Sequence, residues 1–182
     1  MKKLFKLLTL SIVVVIVGCS SGTDIESDLG LENAPDWVNE GSKAIDNDDG
    51  RLVQGVGSAP KMGDLSLQKS TADNRARAEI ARIMSTFMDA TMSDYSASNG
   101  EEFDMQVQQV IKSSTQIALN GSKIMGNWRD PETGILFSFA ELDMSKLKEA
   151  VANADIMNKS FQKYFDDEFD ANFDRFMKKE QN

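Results

Sequence analysis

The N-terminal segment is the feature that most constrains this chain, because it determines which residues remain in the mature protein. Three lysines, Lys2, Lys3 and Lys6, come before a mainly apolar run over residues 7–17, and Gly18 then precedes Cys19, the only cysteine. This order is typical of a secretory signal peptide, and the apolar run is too short to span a hydrocarbon core about 30 Å thick. We therefore predict a signal peptide over residues 1–18, in preference to a short buried helix with an ordinary thiol.

The residues Ile16-Val17-Gly18-Cys19 resemble the lipobox of a bacterial lipoprotein signal, although Val17 is bulkier than the usual residue. The resemblance implies cleavage before Cys19, a diacylglycerol on its sulfur and an acylated amine. Two or more acyl chains hold a protein stably on a membrane. In such lipoproteins, a serine after the cysteine, here Ser20, favours passage to the outer membrane. We therefore expect a lipoprotein anchored through Cys19 in the outer membrane and facing the periplasm.

The mature chain would carry three regions. Residues 19–34 are rich in Ser, Gly, Asp and Glu, which predicts a flexible linker behind the lipidated cysteine. We expect a folded domain over residues 35–143 and a separate C-terminal helix over residues 144–182. The net charge of the whole chain is −9, so we expect no nucleic acid partner. With Cys19 lipidated no thiol remains for a disulfide, and stability has to come from packing.

The absence of histidine excludes several kinds of site. It rules out Ser-His-Asp and Cys-His catalysis and removes the commonest metal ligand. The acidic run over residues 46–50 does not fit a calcium loop, because glycines, Gly50 and Gly57, stand where that loop needs its fifth and twelfth ligands. We therefore predict no cofactor, no metal and no enzymatic activity.

The pattern of apolar residues predicts an α+β fold, with a small, mostly antiparallel sheet packed on a long helix. Period-two segments predict strands over 52–59, 116–118, 123–128 and 135–142, and period-3.6 segments predict helices over 64–95 and 103–111. Turns are expected at 120–121 and 130–134.

Side-chain roles follow from the same pattern. Asp64 or Ser66 is expected to cap the long helix, and Glu79 to pair with Arg82 on its surface. A basic contact patch on Arg75, Arg77 and Arg82 is the alternative to a solvated helix face. In the last strand, we expect Ile135, Phe137 and Phe139 to cover the helix.

A final helix is predicted from Met144, capped by Asp143 or Ser145, and its far end carries an unusual stripe. Five phenylalanines recur there at spacings of four, four, four and three: Phe161, Phe165, Phe169, Phe173 and Phe176. They fall on one face of a helix, opposite a row of acidic residues. We interpret them as residues that contact another subunit, with packing on the protein's own core as the alternative.

Three segments together resemble one protein family. They are Pro35-Asp36-Trp37-Val38, the strand around Gly55-Val56-Gly57 and the helix from Ala72 to Arg82, which reads ADNRARAEIAR. With the segment ending at Trp128 and the strand from Ile135, they resemble the small bacterial outer-membrane lipoproteins typified by the twenty-kilodalton Lpp antigen. That family includes the FlgP-type flagellar assembly lipoproteins. The resemblance covers about residues 34–142 and brings no catalytic motif.

The function expected from these observations is non-catalytic. We predict a lipid-anchored envelope protein that self-assembles or acts as a scaffold. In the version that the resemblance implies, it forms an outer-membrane ring that supports the flagellar motor. One alternative is a tethered adaptor that activates or positions a cell-wall enzyme. A glycan hydrolase using Asp130, Glu132 and Glu141 is the remaining alternative, although nothing in their spacing selects them.

Overall fold

The computed structural model describes residues 29–41, 51–99, 105–153 and 159–180. These residues form five helices and three strands, in an α+β arrangement that confirms the predicted fold class. In chain order they are α1 (Asp36–Asn39), β1 (Leu52–Ala59), α2 (Leu65–Asn99), α3 (Met105–Gly121), β2 (Lys123–Arg129), β3 (Leu136–Asp143), α4 (Met144–Ala152) and α5 (Lys159–Glu180).

The three strands make one antiparallel sheet with β3 in the centre, in the order β1-β3-β2. Strand β1 pairs with β3 over its whole length, from Leu52 opposite Asp143 to Ala59 opposite Leu136. Strand β2 pairs with the other edge of β3, and its register shifts at a bulge between Ile124 and Gly126. The central position of β3 explains why it has the most apolar sequence of the three strands.

Helix α2 lies directly on one face of this sheet, and two glycines make the close approach possible. A Cβ added at Gly57 would lie 2.2 Å from the backbone N of Ala76, and one added at Gly55 would lie 2.4 Å from the backbone O of Ala76. Opposite these glycines, β3 carries the small residues Ser138 and Ala140, both fully buried. Small side chains on both strands therefore let the helix rest almost on the sheet backbone.

This contact corrects our prediction for the faces of the last strand. Phe137 and Phe139, which we expected to cover the helix, point to the opposite face. Their rings lie 5.8 Å from the Trp128 ring and 5.6 Å from the Trp37 ring, respectively. The prediction was wrong because phenylalanine rings would hold α2 away from the sheet, whereas alternate residues such as Ser138 allow the close approach.

The helices start as predicted but differ in length. The carboxylate of Asp64 accepts hydrogen bonds from the backbone N–H groups of Ser66 and Leu67, which confirms Asp64 as the cap of α2. The predicted strand over 116–118 is wrong, because helix α3 continues to Gly121 and buries Ala118 in the core. The predicted turn at 120–121 is therefore the end of this helix.

The C-terminal region contains two helices within the described residues rather than one. Asp143 caps α4 as predicted, because its side chain accepts a hydrogen bond from the backbone N–H of Ser145. Helix α4 ends at Ala152, and α5 begins at Lys159. One core joins both helices to the rest of the domain, since Leu142, Leu147 and Phe169 belong to the same cluster.

The end of the domain where β1 passes into α2 also holds the turn between β2 and β3. We call this end, residues 60–67 and 130–135, the tip. The buried side-chain amide of Gln68 fastens it, donating hydrogen bonds from Nε2 to the backbone O atoms of Ala59 and Gly134. Helices α4 and α5 lie at the other end, where Met144 N–H donates to the backbone O of Arg51.

Candidate functional site

The predicted lipidation site, Cys19, lies outside the described residues, as do the signal peptide and the acidic run over 46–50. The described chain begins at Leu29. Residues 29–34, the end of the predicted linker, connect to α1 through Asn39. The Asn39 side chain accepts a hydrogen bond from Leu31 N–H at 3.1 Å and donates one to the backbone O of Leu31 at 3.2 Å. The path of the chain next to the sheet is therefore fixed by paired hydrogen bonds.

The phenylalanine stripe of α5 lies inside the protein. All five of its rings are buried, with exposed fractions between 0% and 7%. Phe87 of α2 is the common neighbour of four of them. Its ring centroid lies 6.5 Å from that of Phe165, 5.9 Å from Phe169, 5.6 Å from Phe173 and 5.5 Å from Phe176. These contacts are edge-to-face, the arrangement that aromatic quadrupoles favour.

The near end of the stripe is enclosed in the same way. The ring of Phe161 lies 5.4 Å from that of Tyr95, also edge-to-face. The structure thus places the five predicted contact residues in the protein's own core, in agreement with the alternative interpretation of the stripe. A partner would have access to these rings only if α5 separated from α2.

The outward face of α5 is polar and makes exposed ion pairs with neighbouring elements. Asp170 pairs with Arg51, which directly precedes β1. Lys148 of α4 lies 3.4 Å from Asp166 and 3.9 Å from Asp170. These charges help to orient α5, but at this exposure each pair contributes only up to about 1 kcal/mol.

The candidate carboxylates for glycan hydrolysis do not form a pair. Asp130 lies at the tip, where its N–H donates to the backbone O of Ile135, whereas Glu141 lies six residues further along β3. At about 3.3 Å per residue this separates them by roughly 20 Å, beyond the 5–10 Å that such catalysis needs. Glu132 is exposed in the turn itself.

The Asp130 carboxylate is engaged in building that turn. It accepts hydrogen bonds from the Thr133 hydroxyl, from Glu132 N–H and from Thr133 N–H. The hydroxyl of Thr133 contributes most to holding the pKa of Asp130 below its usual range. Asp130 is therefore an ionised turn residue rather than a proton donor.

A polar cluster that we did not predict from the sequence joins α2 to the sheet. Asp73 Oδ1 accepts hydrogen bonds from Ser138 Oγ at 2.7 Å and from Asn127 Nδ2 at 2.9 Å, and Asp73 Oδ2 accepts one from Lys69 Nζ at 2.6 Å. Burial alone would raise the pKa of Asp73, but these hydrogen bonds outweigh it and the pKa lies below its ordinary value. Ser138 is fully buried in this cluster, and its hydrogen bond to Asp73 joins β3 to α2.

Two of the three arginines proposed as a contact patch make contacts within the protein itself. Arg82 pairs with Glu79 on the surface as predicted, at 2.8 Å. Arg75 donates a hydrogen bond to the backbone O of Ser58 at 2.6 Å and so binds α2 to β1. These contacts favour the solvated helix face over a dedicated basic patch.

A cavity of about 250 Å³ lies between the N-terminal segment and the sheet face opposite α2. Its walls include Leu29, Val38, Val56, Ser58 and Phe137. Within the described ranges, no three acidic or cysteine side chains are grouped closely enough to hold a metal ion. No helix among those residues combines the length and apolar character that crossing a bilayer requires.

No protein-family model matches this chain, and no curated protein sequence matches it.

Proposed function

We propose that this protein is a non-catalytic lipoprotein of the bacterial cell envelope, anchored through Cys19 in the outer membrane and facing the periplasm. The observation that carries the proposal is the sequence of the N-terminus, in which three lysines, an apolar run and Gly18 precede the only cysteine. The resemblance of Ile16-Val17-Gly18-Cys19 to a lipobox supports lipidation of this cysteine, and a single cysteine has no disulfide partner within the chain.

The non-catalytic part of the proposal is supported by how the candidate groups are used. The chain has no histidine. The Asp130 carboxylate accepts three hydrogen bonds within its own turn, and Glu141 lies far from it along β3. The Ser138 hydroxyl donates a hydrogen bond to Asp73 in a buried cluster.

We further propose that the protein acts by assembly, as a scaffold built from copies of itself. The flagellar version, an outer-membrane ring around the motor, rests on the resemblance of residues 34–142. Because the phenylalanine stripe is buried against Phe87, contacts between copies would use surfaces other than that stripe.

The anchor is tested by metabolic labelling with an alkyne-tagged palmitate in a bacterial host. We expect label on the wild-type protein, none on Cys19→Ala, and undiminished label on the matched control Ser21→Ala. Ser20→Asp is expected to keep the label but to move the protein from the outer-membrane to the inner-membrane fraction. Label that persists on Cys19→Ala would overturn the proposal.

Assembly is tested on the lipidated protein in detergent, by light scattering coupled to size-exclusion chromatography. A defined oligomer would support a scaffold. A monomer at all concentrations would oppose self-assembly and favour the tethered adaptor, which predicts co-purification of a cell-wall enzyme from cross-linked cells.

A further inference from the structure

The tip exposes two large apolar side chains that the fold does not use. Leu65 and Leu67, in the first turn of α2, are 59% and 58% exposed. Side chains of a helix incline toward its N-terminus, so these two project beyond the end of the sheet. Leu29, where the described chain begins, is exposed to the same extent and lines the cavity beside Ser58 and Phe137, one residue pair from the tip.

Two cationic side chains, Lys61 and Arg129, lie at the same end. A Cβ on Gly134 would lie 3.0 Å from Lys61 Cδ and 3.4 Å from Arg129 Nη2, which places both side chains over that glycine. Neither makes an ion pair with any residue that the structure describes. Three carboxylates lie at this end as well: Asp64 and Asp130 accept hydrogen bonds from backbone N–H groups, and Glu132 is exposed. Together with the two cations they give this end a formal charge of −1.

The length of the tether restricts which end of the domain reaches the membrane. This step rests on the proposed lipid anchor. Ten residues separate Cys19 from Leu29, and fully extended they reach at most about 35 Å. Helix α2 starts at the tip and runs for 35 residues, which is about 52 Å. A domain tethered near the tip cannot therefore stand on the membrane with the far end of α2.

We propose that the tip is a membrane-docking surface, on which Leu65 and Leu67 enter the lipid leaflet that holds the acyl chains of Cys19. Lys61 and Arg129 contact the phosphate groups of that leaflet, because their long side chains can hold the charged ends at the headgroups while the two leucines enter the acyl region. Helices α4 and α5 then point away from the membrane.

The test uses the full lipidated protein in vesicles of phosphatidylethanolamine and phosphatidylglycerol, three to one. The only native cysteine is blocked by lipid, so a second one can be labelled alone with an environment-sensitive fluorophore. We compare Leu67→Cys at the tip with Met125→Cys, a residue of matched exposure on β2, and with Ser98→Cys, an exposed position near the far end of α2. Flotation of the vesicles reports the anchor independently.

We expect the probe at position 67 to shift to the blue and to be quenched by nitroxide-labelled lipid. The probes at 125 and 98 should emit as in water. Adding Lys61→Gln should lower the ratio of docked to free tip about fivefold on these vesicles and leave it unchanged on neutral phosphatidylcholine.

Protein that floats with the vesicles while all three probes emit as in water would overturn the docking proposal and leave the anchor intact. A shift at position 98 rather than 67 would also overturn it. Protein that does not float would overturn the anchor and, with it, the orientation that depends on the anchor.

Discussion

The two halves of α2 rest on opposite kinds of surface. The first half lies on the sheet, where Gly55 and Gly57 bring the strand backbone into contact with the helix backbone at Ala76. The second half extends beyond the sheet and lies against α5, where Phe87 is enclosed by the aromatic rings of the stripe. One contact is made by residues with almost no side chain, and the other by buried aromatic rings.

The two contacts tolerate different kinds of substitution. Where backbones touch, an added methyl group has nowhere to go, so the contact is sensitive to gained atoms. Where rings fill the space between two helices, a lost ring leaves a cavity, so the contact is sensitive to lost atoms. The four experiments that follow test this contrast and the charged groups around it.

The largest effect is expected for Phe87→Ala. Removing a buried aromatic ring costs about 3–5 kcal/mol of the free energy of unfolding, and this ring contacts four phenylalanines of α5. Urea denaturation followed by circular dichroism measures the loss. Met125→Ala, which shortens a side chain that is 57% exposed, is the matched control and should change stability by less than about 0.5 kcal/mol.

The same variant decides between the two interpretations of the stripe. If Phe87→Ala were as stable as the wild type, the rings of α5 would not depend on α2, and the predicted contact with another subunit would regain its basis. A clear loss of stability would instead mean that the packing of α5 on Phe87 stabilises the domain, so that deleting α5 would expose this part of the core. A change in oligomeric state after such a deletion would then report unfolding as well as lost contacts.

The next effect in size is expected for Gly57→Ala. The new Cβ would meet three backbone atoms of α2, at 2.2, 2.6 and 2.7 Å, so the helix has to move away. Overpacking of this kind costs about 1–3 kcal/mol. Gly126→Ala on β2 is the control, because a Cβ there has no atom within 4 Å. Equal stability of the two variants in urea would contradict the close contact.

A smaller effect, on the order of 1 kcal/mol, is expected for Asp73→Asn at neutral pH. The pKa of Asp73 in the folded protein lies below its ordinary value of 3.8, since the hydrogen bonds from Lys69, Ser138 and Asn127 outweigh the effect of burial. A depressed folded pKa adds stability above the unfolded pKa, and this stability is lost as the pH falls through the folded value.

The measurement for Asp73 is therefore the free energy of unfolding of both proteins at pH 7 and near pH 3. The difference between the wild type and Asp73→Asn should be largest at pH 7 and shrink on acidification. Asp130 and Asp143 also have lowered pKa values, and they stay in the variant as a common background. A difference that grows toward pH 3 would show that the hydrogen bonds of this cluster do not depend on an ionised Asp73.

The sequence predicts those parts of this architecture that depend on neighbouring residues. Strand β1, helix α2 and strand β3 each follow from a local period, and the caps at Asp64 and Asp143 follow from residue type next to an apolar run. The length of α3 does not, because the Gln, Ile and Thr residues around position 116 tolerate either a strand or a helix. Its packing on α2 and the burial of Ala118 decide for the helix.

Contacts between residues that are far apart in the sequence do not follow from local patterns. Strand β3 is apolar on both faces, so alternation alone does not tell which face meets α2. Ser138 finds Asp73 across a separation of 65 residues. The spacing of the stripe predicts that one face of α5 is apolar, but it carries no information that Phe87 is what covers it.

The smallest effect is expected for Asp170→Asn, which asks whether charges or rings hold α5 in place. Asp170 pairs with Arg51 and Lys148, but its side chain is 52% exposed, so the loss should be about 0.2–1 kcal/mol in 50 mM salt. In 1 M salt, where the screening length is about 3 Å, the loss should nearly vanish. Glu168→Gln is the control, since Glu168 lies exposed on the same helix and has no ion pair within the described residues. A loss for Asp170→Asn as large as that for Phe87→Ala, and unchanged by salt, would make the ion pairs rather than the buried rings the principal attachment of α5.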